Sequence, residues 1–344
     1  MKRTALYFTG PGSVEIREET LPALLPGKVL VETRHSAIST GTELLIYRGL
    51  CPPDLPIDAT IPGLQGSFAY PMKYGYATVG QVIAAGKGTT GGWDGRMVFS
   101  YHPHASHFIA DPAELFPLPA DMDLEEALFL PNQETAINFV MDGRPLIGEQ
   151  VVVLGQGIVG LLTTSLLSLY PLKQLLTVDR YPLRRKLSIM AGAHEAFDPS
   201  GQDFSASMMN RLESPEDHQG ADLTFEISGS PDALQQAIAV TGFSGRIVIG
   251  SWYGLKDVHL NLGGSFHRSR IRLISSQVSS IDPEFLGRWT KSRRLAFAAM
   301  LLGKVKPLRF VTHRFPFHAA ADAYACLDKN PDECVLALLT YGGP

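Results

Sequence analysis

The sequence predicts a two-domain α/β protein, a doubly wound parallel sheet accompanied by a β-rich domain, and three observations carry that prediction. The chain has 344 residues, more than one hydrophobic core ordinarily organises, so two domains are expected. The run Val151-Val152-Val153-Leu154 opens into Gly155-Gln156-Gly157-Ile158-Val159-Gly160, a buried strand entering a glycine-rich turn. Finally, the rhythm changes along the chain: short strand-like segments broken by Gly and Pro come before that turn, and strands alternating with helices come after it.

The early segments around Leu6-Tyr7-Phe8, Val14-Glu15-Ile16, Val29 to Thr33, Val79 to Ile83 and Met97-Val98-Phe99 are alternating or β-branched, as in short antiparallel strands. After the turn, the apolar stretch from Ile158 to Leu169 reads as a helix stopped near Pro171, and Leu175 to Val178 as a second strand. Ala221 to Glu226 and Arg246 to Gly250 continue the series, with a helix from Pro231 to Val240 between them. The tail holds a helical stretch from Arg293 to Leu302, a strand-like Arg309 to Thr312 and an Ala-rich helix near His318 to Leu327. It is expected to return and complete the first domain. The expected boundaries are 1–132, 133–277 and 278–344.

The glycine spacing points to a dinucleotide. Gly155 supplies the tight turn, Gly157 the close backbone approach to a pyrophosphate over the amides of Ile158, Val159 and Gly160, and Gly160 the close helix–strand packing. Asp179, ending the second strand, is placed to accept hydrogen bonds from ribose hydroxyls and to repel a 2′-phosphate, which favours NAD over NADP. Arg180, Arg184 and Arg185 offer the contrary reading, a phosphate clamp, against that of a solvated basic face.

Composition excludes several classes. A net charge of −4 gives no general attraction to nucleic acid or anionic lipid. Apolar stretches are short, and Met1-Lys2-Arg3 is not followed by a signal-peptide core, so a cytoplasmic protein is expected. Cys51, Cys326 and Cys334 are few and far apart in sequence, so neither a disulfide framework nor a four-thiolate zinc site is expected.

Gly41-Thr42-Glu43-Leu44 with Ile46 to Gly49, Gly75-Tyr76-Ala77 before Val79 to Val82, Glu134-Thr135-Ala136, the glycine-rich turn and Ile227 to Ser230 together resemble the medium-chain dehydrogenase/reductase superfamily. The resemblance covers nearly the whole chain. It implies a GroES-like catalytic domain, an inserted Rossmann domain, and a homodimer joined through the Rossmann sheets. The stretch His35 to Glu43 is most similar to bacteriochlorophyllide-type dehydrogenases, which oxidise a hydroxyethyl group to an acetyl group. The resemblance also implies that Thr135 lies under the nicotinamide, Ser228 near the cofactor, and the strand ends at Gly250 and Ser276 to Val278 against its carboxamide.

Departures from the family pattern matter as much. Where zinc-dependent relatives carry ligands, this chain has Ser39 or Thr40, Tyr76, Ala77 and a position near Pro131, none a thiolate, imidazole or carboxylate. Leu45 occupies the place of a proton-relaying His. No catalytic zinc is expected there, so the alkoxide must be stabilised by side chains: Tyr76 as hydrogen-bond donor, Thr40 beside it and His104 as proton shuttle. Tyr76 as plain core is the competing reading. His102, His104 and His107 pack three imidazoles into six residues, a metal cluster if Glu43 or Glu134 joined them, or else a loop with one histidine lining the substrate cleft. Glu134 reads as a base or a pin for a substrate hydroxyl, or as a helix-start acid, with Asn132 and Gln133 as amide partners.

Substrate clues are coarser. The Pro- and Gly-rich excursion from Leu50 to Pro71 reads as a lid, a surface loop or a subunit contact. Basic residues at Arg268, Arg270, Arg272, Arg288, Lys291, Arg293 and Arg294 read as a solvated face or as holders of an anionic substrate. Trp252-Tyr253 read as a stacking platform for a flat substrate, or as core or dimer packing. The expected activity is zinc-independent, NAD(H)-dependent interconversion of an alcohol and a carbonyl on an anionic or aromatic small molecule. The alternatives are an NADPH-dependent quinone or enone reductase and a non-catalytic nucleotide-binding protein.

Overall fold

The computed structural model describes residues 1–58, 61, 63–201, 204–212 and 219–342. They form two units, one built from Met1–Pro131 with Lys306–Pro344 and the other from Asn132–Val305. The second unit thus continues past residue 277 to Val305, where the sequence suggested that the return had already begun. Its physical tie is Arg294, whose guanidinium bonds the carbonyls of Val278 and Ser280 and reaches Glu134 and Asn138 in the same unit.

In the first unit, β1 (Lys2–Gly10) and β2 (Ser13–Thr20) form an antiparallel hairpin. Then come β3 (Val29–Ala37), α1 (Thr42–Tyr47), β4 (Thr78–Ala85), β5 (Met97–Ser100), β6 (His107–Ala110), β7 (Leu115–Pro117) and α2 (Leu124–Ala127). Each strand expected from alternation is present. Asp123 caps α2 by accepting from the amides of Glu125 and Glu126.

The second unit opens with α3 (Leu130–Gly143) and β8 (Gln150–Leu154), every residue of β8 being buried, as a central parallel strand requires. There follow α4 (Ile158–Leu167), β9 (Gln174–Val178), α5 (Pro182–Met190), β10 (Glu195–Phe197), α6 (Phe204–Arg211), β11 (Ala221–Glu226), α7 (Pro231–Val240), β12 (Thr241–Ile249), β13 (Arg272–Ser275) and α8 (Lys291–Val305). Proline at the first position starts both α5 and α7, where its missing N–H costs nothing. The sheet order is β10-β9-β8-β11-β12-β13, all parallel. The strand order therefore reverses between β8 and β11, the place where ligands bind in doubly wound sheets.

The return brings β14 (His313–Pro316), α9 (Ala320–Lys329) and β15 (Ala337–Thr340) back to the first unit. β15 pairs antiparallel with β3, completing a sheet ordered β14-β15-β3-β4-β5-β7 with β6 also on β3. Arg309-Phe310 is a 3-10 turn spanning Pro307–Phe310, so the strand begins only at His313. Phe310 sits fully buried within that turn. Among the described residues no helix is long and apolar enough to cross a membrane.

Candidate functional site

The second unit carries a glycine turn in which each glycine does a different job. Gly155 has φ +94°, and a Cβ there would lie 2.5 Å from the Ser228 backbone. At Gly160 a Cβ would lie 1.9 Å from the Gly155 carbonyl oxygen. Gly157 differs: the nearest atom to its missing Cβ is Arg184 Nη1 at 4.0 Å. Two glycines are thus demanded by the fold, while the third leaves an approach open. The first intrahelical bond of α4 runs from the Leu161 amide to Gly157 O, so the amides of Ile158, Val159 and Gly160 belong to the exposed donor end of the helix dipole. That is an anion-binding helix start at the switch point of the sheet.

Asp179 lies beside this turn, buried, with Oδ2 accepting from the Gln156 amide at 2.8 Å and Oδ1 from the Tyr181 amide at 2.9 Å. One carboxylate therefore braces the glycine turn and the start of α5, and each oxygen keeps a second lone pair. The three arginines divide. Arg185 is engaged with Asp198 at 2.9 Å and with the carbonyls of Asp179 and Arg180. Arg180 and Arg184 lie over the Tyr181 ring, 5.4 and 4.9 Å from its centre.

Other expected cofactor residues are held internally. Ser228 donates its amide and hydroxyl to Glu226, which is fully buried and also accepts from Tyr253 OH. Burial and the Glu226 charge push the Tyr253 hydroxyl pKa upward. Tyr253 is thus a polar anchor, while Trp252 keeps 37% of its surface exposed. Gly250 is needed for packing, since a Cβ would meet the Phe139 ring at 2.3 Å. The Ser276 amide bonds Ile249 O, and its hydroxyl bonds Asp142 and Asn138. The Ser276 amide, one of the backbone groups on the strand end expected against the carboxamide, is therefore used within the sheet. Thr135 is half-buried on α3.

Glu134 lies in the second turn of α3, whose first turn holds no acid. The helix-start reading does not apply. Its carboxylate accepts from Arg294 Nε at 3.0 Å, and Arg294 is completely buried. Arg294 had been grouped with a basic surface; the other members fit that description better. Arg293 stacks on Trp289, and Arg268, Arg270, Arg272 and Arg288 are exposed.

The first unit holds a buried polar network. Glu43 and His104 have no solvent exposure, and Glu43 Oε2 accepts from His104 Nε2 at 3.0 Å and from Tyr324 OH. Glu43 Oε1 accepts from the Ser39 amide at 2.7 Å. On the other edge of the imidazole, Nδ1 meets Ser36 Oγ at 2.7 Å, and Ser36 meets Tyr341 OH at 2.9 Å. With Nε2 protonated, each group in this chain has a consistent direction: Tyr341 donates to Ser36, Ser36 to Nδ1, and Nε2–H to Glu43. Gly75 is what lets the ring sit there, for a Cβ at that position would lie 2.8 Å from it. Burial raises the pKa of Tyr324 and of Tyr341, and the Glu43 charge adds to both.

Ser39 joins this network to a half-buried tyrosine: its amide holds Glu43, and its hydroxyl meets Tyr76 OH. Burial raises the Tyr76 pKa, opposed by the Ser39 bond, raised again by Glu43 and lowered by a bond to Thr42. Tyr76 is therefore a neutral hydroxyl at pH 7, able to donate. His104 does not line a cleft as expected; it sits wholly inside, behind Ser39. Thr40 is half-buried in the turn before α1. The three neighbouring histidines do not converge. His102 stacks on Phe108 and bonds Pro103 O, burial lowering its pKa to about 3, and His107 meets Ser106 Oγ.

The excursion expected as a lid is largely anchored. Leu64 and Phe68 are buried in the core with Met72 and Tyr74, and Tyr70 bonds Ile46 O. Residues 59, 60 and 62 of that segment lie outside the described residues. Of the network, Ser36 and Glu43 lie in the stretch His35 to Glu43, which carries the family resemblance. Tyr324 and Tyr341 carried no sequence signal, because contacts across such separations leave no local pattern.

Residues 159–291 match the zinc-binding dehydrogenase family model. D-guloside 3-dehydrogenase of Escherichia coli K12 is 25% identical over 98% of this chain and 99% of its own length. The 2-desacetyl-2-hydroxyethyl bacteriochlorophyllide A dehydrogenase of Cereibacter sphaeroides is 24% identical over 99% of each chain. The alcohol dehydrogenase RspB of E. coli CFT073, solved with NADH, superposes with a TM-score of 0.79 at 19% identity, covering 98% of this chain and 99% of its own. The matches to these relatives run end to end through both units, and the family model falls within the second. Together they support a place for the chain in the medium-chain dehydrogenase/reductase superfamily.

The superfamily's zinc does not fit the donors at its ancestral place. Ser39 and Tyr76 offer only hydroxyls, already bonded to each other, and Ala77 offers nothing. The nearest stronger donors, Glu43 and His104, are satisfied by one another and by Ser36, Ser39 and Tyr324. A dinucleotide, by contrast, fits the glycine turn of this medium-chain dehydrogenase fold.

Proposed function

We propose that this chain is an NAD(H)-dependent oxidoreductase that interconverts an alcohol and a carbonyl, with the Tyr76 hydroxyl in the role that zinc takes in many superfamily members. The observation that carries the reading is the contrast within the glycine turn: Gly155 and Gly160 are sterically obligatory, whereas Gly157 keeps its Cβ direction open at the start of α4. The amides of Ile158, Val159 and Gly160 hold the pyrophosphate, and Asp179 takes the ribose hydroxyls on its remaining lone pairs. When bound, the nicotinamide supplies the hydride chemistry.

Tyr76, kept neutral by its burial, donates a hydrogen bond to the substrate oxygen and stabilises the negative charge that develops there. Ser39 orients the phenol, and the Glu43–His104 pair orients Ser39 through its amide. His104 is thus a positioning residue, and Glu134 positions the chain at Val278 to Ser280 through Arg294. The relatives named for sugar and hydroxyethyl substrates support an alcohol substrate with a polar or aromatic body. We place the enzyme in the cytoplasm as a homodimer.

Two measurements test this reading. Fluorescence titration is expected to favour NADH over NADPH by about tenfold or more, through Asp179. Tight NADPH binding would instead favour a quinone or enone reductase in which Arg180 and Arg184 clamp the 2′-phosphate, a reading supported by Arg184 lying beside Gly157. On a panel of polyols, glycosides and aryl carbinols, Tyr76→Phe is expected to lower kcat by about 100-fold with NADH affinity unchanged. Unaltered turnover in Tyr76→Phe would remove the tyrosine from the mechanism.

A further inference from the structure

The return segment assembles a cluster that the catalytic reading does not use. Cys326 and Cys334 are separated from Cys51 by most of the sequence, but the fold brings these two together with His313. One ligand atom from each of His313, Cys326 and Cys334 lies within 4.8 Å of the other two. His313 opens β14, Cys326 lies on α9, and Cys334 sits just ahead of β15, held by its amide to Asn330 O at 2.9 Å. Cys334 is completely buried, and the other two are half-buried. None of the three cysteines is in a disulfide.

We propose that His313, Cys326 and Cys334 form a binding site for a thiophilic divalent cation of the zinc class, which clips β14, α9 and the approach to β15 together. The donor set is two sulfurs and one imidazole, a combination that suits zinc. Zinc–sulfur bonds of about 2.3 Å and zinc–nitrogen bonds of about 2.0 Å place tetrahedral donors ~3.4–3.8 Å apart. The observed spacing therefore needs to close by about 1 Å, within reach of side-chain rotation.

A second observation points the same way. His313 Nδ1 is buried without a hydrogen-bond partner among the described residues. Such an atom ordinarily has a partner, and a cation among the three groups supplies one. A Cys326–Cys334 disulfide would join the sulfurs but leave that nitrogen unmet. Thr312 Oγ1, 3.9 Å from Cys334 Sγ, offers outer-shell support to the sulfur. Binding forms two metal–sulfur bonds and one metal–nitrogen bond and sends the two thiol protons to solvent, with no change of oxidation state. The fourth position falls to water on the half-exposed side of Cys326.

The test uses the full-length protein, reduced, stripped with chelator and titrated with Co²⁺ alone, then with Zn²⁺ in competition. One equivalent of Co²⁺ should bind with intense sulfur-to-metal charge-transfer absorption, displaced by Zn²⁺, and Zn²⁺ should raise the melting temperature. Cys326→Ser should abolish the band, His313→Gln should weaken Co²⁺ affinity by about tenfold or more, and Cys51→Ala should change neither. Because Cys326 is half-buried, circular dichroism of Cys326→Ser verifies folding, and His313→Gln carries the test if that variant is lost. No Co²⁺ uptake by the reduced wild type, or an undiminished band in a folded Cys326→Ser variant or in His313→Gln, overturns the proposal. So does uptake that requires Cys51. None of these readouts depends on turnover.

Discussion

Replacing Arg294 by Met removes the one cation from a buried cluster of acceptors. Arg294 has no exposed surface, and its guanidinium serves Glu134 Oε1 at 3.0 Å, Asn138 Oδ1, Ser280 O at 3.1 Å and Val278 O. Methionine fills much of the same volume, so the cavity contribution is small. What remains is a buried carboxylate without its counter-charge, a loss of about 3–5 kcal/mol in comparable pairs. The orphaned carbonyls and amide oxygen lie in the same cluster, so their cost of about 1–3 kcal/mol each overlaps with this and is partly met by entering water. A loss of about 4 kcal/mol is the expected sum, lowering the melting temperature of the second unit by roughly 8–16 °C.

The double variant Arg294→Met/Glu134→Leu separates charge from packing. It removes the stranded carboxylate and should recover about 2 kcal/mol relative to the sum of the single variants. Thermal unfolding followed by circular dichroism, with urea melts as a second measure, reads both quantities. Arg294 also restrains Val278 and Ser280, so NADH affinity should fall in Arg294→Met more than in Glu134→Gln, which keeps the arginine. An Arg294→Met protein within about 1 kcal/mol of wild type, or strict additivity in the double variant, would refute the role assigned to this pair.

Two further predictions follow from the geometry. Gly157→Ala should leave the melting temperature nearly unchanged yet abolish detectable NADH binding, whereas Gly160→Ala should destabilise the protein without any ligand, since its Cβ would meet the Gly155 carbonyl at 1.9 Å; scanning calorimetry with and without NADH reads both, and equal behaviour of the two would sink the argument. Glu19 accepts from Arg3 across the β1–β2 register, from Tyr7 and from Lys73. Burial raises its pKa, but these donors outweigh that effect and hold it at about 2, below the ordinary 4.5. Its stabilisation is therefore full above pH 4.5 and lost as pH falls toward 2. Discounted for its partial exposure, it is worth about 1–2 kcal/mol. Urea midpoints should fall across that window in wild type and change less in Glu19→Gln.

The sheets were legible because their signals are local. An unbroken apolar run announces a central parallel strand, alternation announces a half-buried antiparallel one, and a proline at Pro182 or Pro231 marks where a helix starts. The glycine turn was legible for a related reason: each glycine answers a steric demand made by a residue close in sequence or by the adjoining strand, as at Gly155 and Ser228. Chemistry was legible only as residue types. His104 and Glu43 could be named, but which way the imidazole faced depended on Gly75, Ser36 and Tyr324, which approach it from three separate segments.

The same limit explains the residues that changed roles. Arg294 looked like its exposed neighbour Arg293, because a charge pattern along a helix does not say which turn meets a buried carboxylate on another helix. Glu134 looked catalytic for the complementary reason. A buried acid is costly unless paired, so an acid in an apolar helix invites a functional explanation until its partner is known. Here the partner lies 160 positions away. The cysteines make the point in reverse: Cys326 and Cys334 stand eight positions apart and His313 thirteen before Cys326, no recognisable ligand spacing, and their donors are brought together by a strand, a helix and the approach to the next strand. Motif spacing finds sites built within one turn or one hairpin. Sites closed by the packing of a strand, a helix and a loop are found by asking which buried polar atom still lacks a partner, and among the described residues of the first unit that question leads to His35 and His313.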